Sequence, residues 1–388
     1  MLASIESSAG RVILAPDKFK GSLSAAEAAS RLAAGLRRAV PGIAVATVPV
    51  ADGGEGTVDA VVSAAGFRRL RALVGGPTGR AVAASFAVRG DTAVIESAQA
   101  CGLWRLPGGE PAPLTATSYG VGELIGAALD AGCTRIVLGL GGSACTDGGA
   151  GLVRALGAQL TDANAKPLPS GGAVLTGISG LDITDLSLRL KGIDVTVACD
   201  VDNPLLGANG AAAVYGPQKG ASEDDVQVLD AALAAWSAAV AREIGTEEFA
   251  TYPGAGAAGG MGFAALALLG ARLRPGIELM LELAGFEERA RGSRLVITGE
   301  GSLDAQSLRG KAPAGVARAA SALGVPVVAV SGICDLGPEQ LSEAGFTAAY
   351  RLTDIEDDVD RCIAHAGPLL ELLAERIGRA HLANGGRS

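Results

Sequence analysis

Four short apolar runs in this chain each end in an acidic residue that stands beside glycine or another small residue. The runs are VILAPD, VPVAD, VTVACD and VITGE, and their acids are Asp17, Asp52, Asp200 and Glu300. If the runs are parallel strands, the carboxylates gather at the C-terminal edge of a sheet, where open α/β folds bind ligands. An acid in this place can also cap the next helix, but four occurrences favour a site. The pattern therefore predicts an α/β fold with its active site at this edge.

The length, composition and charge of the chain limit the folds that it can adopt and the partners that it can bind. The chain has 388 residues, with 57 glycines and only 3% aromatic residues, which predicts two domains with cores built mainly from Ala, Val and Leu. The formal net charge of −9 argues against nucleic acid as a partner, because phosphate backbones attract basic surfaces. The six cysteines are scattered without a C-x-x-C pair, which is typical of thiols in a reducing cytoplasm and gives no zinc signature.

Neither the first residues nor the most apolar region of the sequence indicates secretion or a membrane span. The first residues, MLASIESSAG, lack the basic start and the apolar stretch of a secretory signal. The most apolar region, Pro253–Gly270, is interrupted by glycines and makes a poor membrane span. We therefore expect a cytoplasmic protein without membrane contact.

The chain begins with a β-α-β-α pattern. Val12–Ala15 is predicted as a strand, and Ser24 with Glu27 forms a capping box for a helix that runs to about Val40. A second strand is predicted at Ala44–Val50, followed by a glycine-rich turn into another helix. From about Gly75 the pattern changes, and the runs at 81–88 and 92–97 are typical of a hairpin.

The middle and the end of the chain complete the prediction. We expect a strand at Arg135–Gly139 and a long helix that begins near Ser222, and then strands at Leu295–Thr298, Val325–Val330 and Ala348–Leu352. Together the segments predict an α/β protein with a flavodoxin-like, doubly wound parallel sheet domain, residues 1–76 plus 292–388, and a second α/β domain, residues 77–291, inserted in mid-chain. The active site is expected in the cleft between them.

The segment Gly139–Gly151, GLGGSACTDGGAG, follows a predicted strand and leads into a predicted helix. Its glycines permit close approach of the backbone, and its hydroxyls and helix N-terminus suit an anion, so we interpret it as a phosphate-binding loop. Its first, third and sixth residues also satisfy the dinucleotide pattern G-x-G-x-x-G/A, with Asp162 at the distance of a ribose ligand. Residues 254–259 satisfy the pattern as well, and a tight turn packed against a helix remains an alternative.

Three further segments concentrate charge where strands meet loops. They are DKFKGS at 17–22, DVDNP at 200–204 with GPQKG at 216–220 downstream, and GEGSLDAQSLRGK at 299–311. The last has two carboxylates, an amide and two cations, which suit magnesium and a transferring phosphoryl group. The lysines of the first suit an anionic substrate, and the aspartates of the second offer a general base. A solvated charged loop or an Asx turn is the alternative for each segment.

Several common catalytic patterns are missing from the sequence. The histidines are His365 and His381, both near the end of the chain, so Ser-His or Cys-His catalysis in the glycine-rich core would have to recruit the C-terminal helix. The sequence has no G-x-S-x-G elbow, no G-x-x-x-x-G-K-[ST] loop and no protein-kinase signature set. A kinase with this sequence would belong to neither common class.

Taken in order, the segments APDKFKGSLSA, PVADGGEGT, GLGGSACTDGGAG, CDVDNPLLG, GPQKGA and ITGEGSLDAQSLRGK strongly resemble the motifs of the bacterial type I glycerate kinase family. The resemblance runs from about Val12 to beyond Val330. It implies an ATP-dependent kinase that phosphorylates D-glycerate, with the 2-hydroxyl as the expected acceptor and with ATP and Mg²⁺ as cofactors. It also implies the flavodoxin-like domain with an inserted α/β domain.

Roles for individual residues follow as hypotheses. ATP is assigned to Gly141, Gly142, Ser143, Thr146, Gly148 and Lys219. Magnesium is assigned to Asp147, Glu300 or Asp304, and D-glycerate to Asp17, Lys20, Asp52, Arg309 and Lys311. The catalytic residues are Asp200, as the base that accepts the hydroxyl proton, Lys20 and Asp304. Neither nucleic acid nor a membrane is expected as a partner, and the chain is expected to be a monomer or a homodimer.

Three alternatives stay open at this point. A kinase of the same kind that forms 3-phosphoglycerate would have the same motifs, because glycerate has two hydroxyl groups. An NAD-dependent dehydrogenase would use residues 139–144 for its cofactor, although the acidic strand ends suit a metal better. A metabolite sensor that binds glycerate or nucleotide without turnover would need a partner-binding or DNA-binding element, and the acidic sequence shows none.

Overall fold

A computed structural model describes residues 10–50, 54, 56–308 and 310–383. The chain forms two compact units. The first unit contains the chain up to Asp52, Ser63–Ala65 and the chain from Ile277 onward, and the second contains Gly53–Val62 and Gly66–Gly276. Within the described residues, no helix has the length and apolar character needed to cross a membrane.

The strands are β1 (Val12–Pro16), β2 (Val45–Thr47), β3 (Arg68–Gly75), β4 (Ala81–Arg89), β5 (Thr92–Glu96), β6 (Arg135–Gly139), β7 (Gln159–Thr161), β8 (Gly180–Asp182), β9 (Asp194–Ala198), β10 (Arg272–Arg274), β11 (Leu295–Leu303), β12 (Val327–Cys334) and β13 (Ala348–Arg351). The helices are α1 (Ala25–Ala39), α2 (Thr57–Ala64), α3 (Ala98–Cys101), α4 (Tyr119–Asp130), α5 (Ala150–Ala155), α6 (Thr184–Arg189), α7 (Ala211–Tyr215), α8 (Glu223–Ile244), α9 (Ala257–Leu268), α10 (Gly276–Leu283), α11 (Phe286–Ala290), α12 (Ala312–Ala322), α13 (Pro338–Glu343), α14 (Val359–Ala364) and α15 (Ala366–His381). Short 3₁₀ turns occur at Leu103–Arg105, Pro107–Gly109, Ala173–Gly177, Pro217–Lys219, Glu248–Thr251 and Leu352–Asp354.

The first unit is built on a five-stranded sheet with the order β13-β12-β11-β1-β2, and all its strand pairs are parallel. Numbered along the chain within this sheet, the order is 2-1-3-4-5. The direction in which the chain builds the sheet therefore reverses between β1 and β11. At such a switch point the loops after neighbouring strands leave in opposite directions and open a crevice at the C-terminal edge.

Both faces of this sheet are buried, which explains the continuous apolar runs of its central strands. On β1, Val12 and Leu14 pack with α1 and α15, whereas Ile13 and Ala15 pack into a second cluster with residues of α10 and α12. The helices α1 and α15 approach closely at Gly35, where a Cβ atom would lie 2.1 Å from the carbonyl oxygen of Glu371. The predicted capping box of Ser24 and Glu27 at the start of α1 is confirmed.

The second unit is built on a six-stranded mixed sheet with the order β10-β9-β6-β5-β4-β3. Its β3, β4 and β5 pair antiparallel, and its remaining pairs are parallel. The predicted hairpin at 81–97 is thus confirmed, and so is the long helix, which Ser222 and Asp225 open with a capping box. Trp236, from this helix, is fully buried in the core of the unit.

Two expectations from the sequence need correction. The strand β3 was not expected, although it pairs with β4 along its whole length. The four acidic strand ends do not meet at one sheet edge, because Asp17 and Glu300 belong to the five-stranded sheet and Asp200 follows β9 in the six-stranded sheet. Glu300 also lies inside β11, opposite Ser331 of β12, and not at the end of a strand. Asp52 lies outside the described residues.

Candidate active site

The loop between β1 and α1 is wound around one buried side chain and leaves its lysines exposed. Phe19 is 2% exposed, and its backbone forms a bridge with Leu23 that closes the loop. The backbone N–H of Lys18 donates to Asp17 Oδ1 at 2.7 Å. The side chains of Lys18 and Lys20 lie at the surface on either side of this anchor. A rigid loop thus presents two ammonium groups at the C-terminal end of β1.

The neighbouring strand β11 approaches this loop where it lacks a side chain. A Cβ atom on Gly301 would lie 3.2 Å from the backbone nitrogen of Lys20 and 3.5 Å from the Cα atom of Phe19. The sequence GEG thus places Glu300 on a strand that lies against the β1–α1 loop. Lys311, just before α12, brings a further ammonium group, and its Nζ atom lies 3.7 Å from Glu300 Oε2.

Glu300 is the least satisfied acid of this region. Its Oε1 atom is buried and accepts no hydrogen bond from any group in the described part of the chain. Burial raises the pKa of Glu300, an effect that the Ser307 hydroxyl and the Lys311 ammonium partly offset, while the charges of Asp17 and Asp304 raise the pKa further. A buried carboxylate beside other acids is stabilised when a cation joins it.

Asp304 is held in one orientation by the turn that follows β11. Its Oδ1 atom accepts hydrogen bonds from the backbone N–H groups of Gln306 at 2.8 Å and Ser307 at 2.9 Å. The hydrogen bond from the Ser307 backbone is the main cause that lowers the pKa of Asp304. The carboxylate is therefore ionised and fixed through Oδ1, and its Oδ2 atom has no hydrogen bond from the described residues.

These groups line one cavity of about 430 Å³ in the first unit. Part of its lining is charged and polar and is called the charged wall below, and the rest is mainly apolar and is called the apolar wall. The charged wall contains Asp17, Lys18, Lys20, Ser22, Glu300, Ser302, Asp304 and Lys311, and the apolar wall contains Ile333, Leu352, Val359, Cys362, Ile363 and Ala366. The cavity opens at the C-terminal edge, beside the switch point between β1 and β11. The structure thus brings together charged residues that lie almost 300 positions apart in the sequence.

The carboxylates of the cavity are suitable ligands for a magnesium ion. Among the described residues, no group of three His, Cys, Asp or Glu side chains is arranged as a complete metal site. Mg²⁺ is usually held by only one or two carboxylates together with water and substrate phosphates. The unsatisfied Oε1 atom of Glu300 and the oriented carboxylate of Asp304 meet that requirement.

The glycine-rich segment 139–151 has a different character. Only Gly141 and Gly142 are exposed in it after β6, and the residues from Ser143 to Gly151 are buried. Asp147, which is 1% exposed, accepts hydrogen bonds from the N–H groups of Ser118 at 2.7 Å, Gly149 at 3.2 Å and Gly151 at 3.2 Å. The hydroxyls of Thr117 and Ser118 donate to it as well. The carboxylate thus occupies the amides at the start of α5 that an anion would need.

Lys219 is likewise turned inward. It is 3% exposed, and its Nζ atom donates to the carbonyl oxygen of Cys145 at 2.5 Å and lies 3.4 Å from Ser143 Oγ. Burial lowers the pKa of its ammonium group. Thr146 is also fully buried, and its Oγ1 atom has no partner within the described residues. The predicted ATP contacts of Thr146, Gly148 and Lys219, and the predicted metal role of Asp147, therefore lie on groups that this structure buries.

Asp200 follows β9 and is exposed. Its Oδ1 atom accepts a hydrogen bond from the N–H group of Gly276 at 2.9 Å, at the start of α10. The side chain thus has a helix-capping contact, the alternative that an acidic strand end always allows. Its predicted role as the catalytic base is not excluded by this contact and stays a prediction. Arg309, like Asp52, lies outside the described residues.

One buried acid, Glu96, was not predicted from the sequence as a site residue. Glu96 ends β5, is 2% exposed and accepts a hydrogen bond from the N–H group of Val58 at 2.5 Å through Oε1. Its Oε2 atom is buried and has no partner in the part of the chain that is described. Burial raises the pKa of Glu96. The run TAVIE has the same signature as the other four runs, so the signal was present in the sequence.

Comparisons with known proteins identify the family of the chain. The model of the glycerate kinase family matches residues 12–382. A glycerate kinase from Halalkalibacterium halodurans is 43% identical over 94% of this chain and 97% of its own length. A glycerate 2-kinase from Escherichia coli is 47% identical over 83% of this chain and 85% of its own length.

A solved structure is also similar to the whole chain. It is a crystal structure from Salmonella typhimurium LT2, described as a candidate glycerate kinase 2. The TM-score is 0.83 at 41% sequence identity, with 95% of this chain and 97% of that chain covered. The resemblance seen in the motifs is thus confirmed over nearly the full length. The chain belongs to the glycerate kinase family, which makes it a kinase that acts on glycerate.

Proposed function

We propose that the protein transfers the γ-phosphoryl group of ATP to the 2-hydroxyl of D-glycerate with the help of Mg²⁺. The observation that carries this proposal is the cavity of the first unit, where three lysines line the same space as Glu300, whose buried Oε1 atom has no hydrogen-bond partner within the described residues. Phosphoryl transfer needs both signs of charge, because the anions must be held and a cation must be held between them. The name of the Escherichia coli relative, glycerate 2-kinase, supports the 2-hydroxyl as the acceptor.

In this proposal the side chains of the cavity have two kinds of role, anion binding and metal binding. Lys20 and Lys311 hold the glycerate carboxylate and the transferring phosphoryl group, and Glu300 and Asp304 hold the magnesium ion. When bound, Mg²⁺ neutralises negative charge on the phosphoryl oxygens. The hydroxyl oxygen attacks the γ-phosphorus, the bond to the β–γ bridging oxygen breaks, and ADP leaves. The proton of the hydroxyl passes to a carboxylate base, for which Asp200 stays our candidate.

Other assignments from the sequence also stay predictions. They are the roles of Asp17, Asp52 and Arg309 in glycerate binding, and of Gly141, Gly142 and Ser143 in ATP binding.

We further propose that the first unit is a flavodoxin-like domain that carries the second unit as an α/β insertion. The strand order 2-1-3-4-5 of its sheet supports this, because it is the order of doubly wound flavodoxin-like folds. The position of the cavity beside the switch point supports it too, since ligands of such folds bind there.

Phosphorus NMR of the purified protein with D-glycerate, ATP and MgCl₂ tests the reaction. We expect a phosphomonoester at the 2-position and none without glycerate. An ester at the 3-position would keep the kinase and overturn the acceptor assignment. Absence of any glycerate-dependent ester from correctly folded protein would overturn the proposal as a whole.

Substitution of the lysines tests the site. We expect Lys20→Met and Lys311→Met each to lower kcat/KM about 100-fold or more, because each removes a positive charge that faces developing negative charge. Lys166→Met is the matched control, since Lys166 is an exposed lysine on the turn after β7 and contacts its surroundings through its backbone. Wild-type kcat/KM in both cavity variants would mean that the chemistry takes place elsewhere.

A further inference from the structure

We infer that the apolar wall of the first unit's cavity binds the base of the nucleotide, so that this cavity takes the whole nucleoside triphosphate. The inference rests on the proposed function and takes the place of the prediction that Gly141, Gly142 and Ser143 of the second unit bind ATP. The large side chains of the apolar wall are Ile333 in β12, Leu352 after β13, and Val359 and Ile363 on α14.

The size of the cavity is the first argument. Its volume of about 430 Å³ lies within the range of pockets for ligands of drug-like size. Glycerate has three carbons and is polar at every one of them. It would fill only a small part of this space and would gain nothing from an apolar wall. A nucleoside triphosphate is larger and has both an anionic part for the lysines and an aromatic base for the apolar wall.

The exposure of the apolar wall is the second argument. Val359 and Ile363 are 48% and 47% exposed, which is unusual for two large aliphatic side chains on one face of a short helix. They are four residues apart and therefore neighbours on α14. Leu352, beside them, is fully covered. The flat apolar surface of a base would bury the exposed part of both side chains and remove it from water.

Charge complementarity is the third argument. The ammonium groups of Lys18, Lys20 and Lys311 belong to residues that line the same cavity as Val359 and Ile363 of α14. A nucleoside triphosphate has the matching polarity, with a polyanionic end and a weakly polar end. The capping box of Ser24 and Glu27 already occupies two N–H groups at the N-terminus of α1. The lysines are the cationic side chains that line the cavity, and we assign the phosphate contacts to them.

The test separates the base from the phosphates. Ile363→Asp places a carboxylate on the apolar wall, and Leu372→Asp is the matched control because Leu372 is 46% exposed on α15 and does not line the cavity. We measure the binding of MgATP and of magnesium tripolyphosphate by calorimetry, without glycerate. Ile363→Asp is expected to weaken MgATP about tenfold and to leave tripolyphosphate within twofold, and Leu372→Asp is expected to change neither.

Other outcomes decide against the inference. Unchanged MgATP affinity in both Ile363→Asp and a second variant, Val359→Asp, would overturn it. So would a raised KM for glycerate with an unchanged KM for ATP, since the wall would then face the acceptor. Failure of the proposed function is distinguishable from these results. If the wild-type protein forms no phosphoglycerate but its MgATP affinity still depends on Ile363, the nucleotide site stands and the reaction is another.

Discussion

The glycine-rich segment 139–151 and the charged cavity of the first unit contain similar residues and use them in opposite ways. In the glycine-rich segment, Asp147 takes hydrogen bonds from the backbone amides and the nearby hydroxyls, and Lys219 donates to a carbonyl of the same segment. In the cavity, Glu300 Oε1 has no hydrogen-bond partner within the described residues, and the lysines are exposed. Groups that are satisfied within the protein, such as Asp147 and Lys219, hold a fold together, whereas groups left unsatisfied at a sheet edge are available to a ligand. Thr146 Oγ1 is an exception in the segment, because it has no partner within the described residues.

The largest expected effects are a loss of stability from a substitution in the glycine-rich segment and a loss of activity from a substitution in the cavity. Asp147→Ala should lower the free energy of unfolding by about 3 kcal/mol or more, because the buried N–H groups of Ser118, Gly149 and Gly151 lose their acceptor. Glu300→Gln should abolish detectable turnover and leave the free energy of unfolding within about 1 kcal/mol of wild type. Urea unfolding and kcat of the two variants check this.

A contrary result would reverse the comparison. If Asp147→Ala folded with wild-type stability and lost magnesium-dependent activity, the carboxylate would be a metal ligand and the buried contacts would not describe the working state. Asp147→Asn is the milder companion variant, since its amide oxygen can still accept some of the hydrogen bonds.

Features of the fold were predictable from the sequence where the interacting residues lie close together along the chain. The capping box of α1, the start of α8 near Ser222 and the hairpin of β4 and β5 were predicted because their signals lie within a few residues. The strand β3 was missed because it is an edge strand, and its sequence, RRLRALVG, carries arginines where a central strand would be apolar. Charged side chains are typical of such edges, since they discourage pairing with other chains.

The site shows the same limit. The segments of the cavity were predicted as charged ends of strands, and the sheet brings them together as parallel neighbours. The burial of Asp147 was not predictable from its glycine-rich surroundings, because its partners Thr117 and Ser118 lie about thirty positions earlier in the chain. Glu96 was overlooked because its run was interpreted only as part of a hairpin.

A smaller effect on stability and a large effect on rate are expected at Asp200. Asp200→Asn should abolish turnover and spare ATP binding if the carboxylate is the base, because asparagine caps a helix as well as aspartate does and the contact with Gly276 is kept. Asp200→Ala should in addition lose about 1 kcal/mol of stability with that cap. Steady-state kinetics, calorimetry with MgATP and urea unfolding measure the three quantities. Near-normal turnover of Asp200→Asn would eliminate the residue as the base and leave it a capping role.

The smallest expected effect concerns the pH dependence of the second unit. Burial raises the pKa of Glu96, so the folded state binds a proton more readily than the unfolded state. Stability gained from this residue therefore grows as the pH falls through its folded pKa towards the ordinary value of 4.5, and is absent at higher pH. In Glu96→Gln the group no longer titrates, but its amide oxygen can still accept from Val58. The stability of the wild type relative to Glu96→Gln should thus increase steadily on acidification.

Both tryptophans, Trp104 and Trp236, lie in the second unit, so fluorescence-monitored urea unfolding reports on the unit that contains Glu96. A difference between the two proteins that stays constant with pH would show that Glu96 is already ionised as easily as an exposed acid, and that its buried Oε2 atom has found a partner in solution.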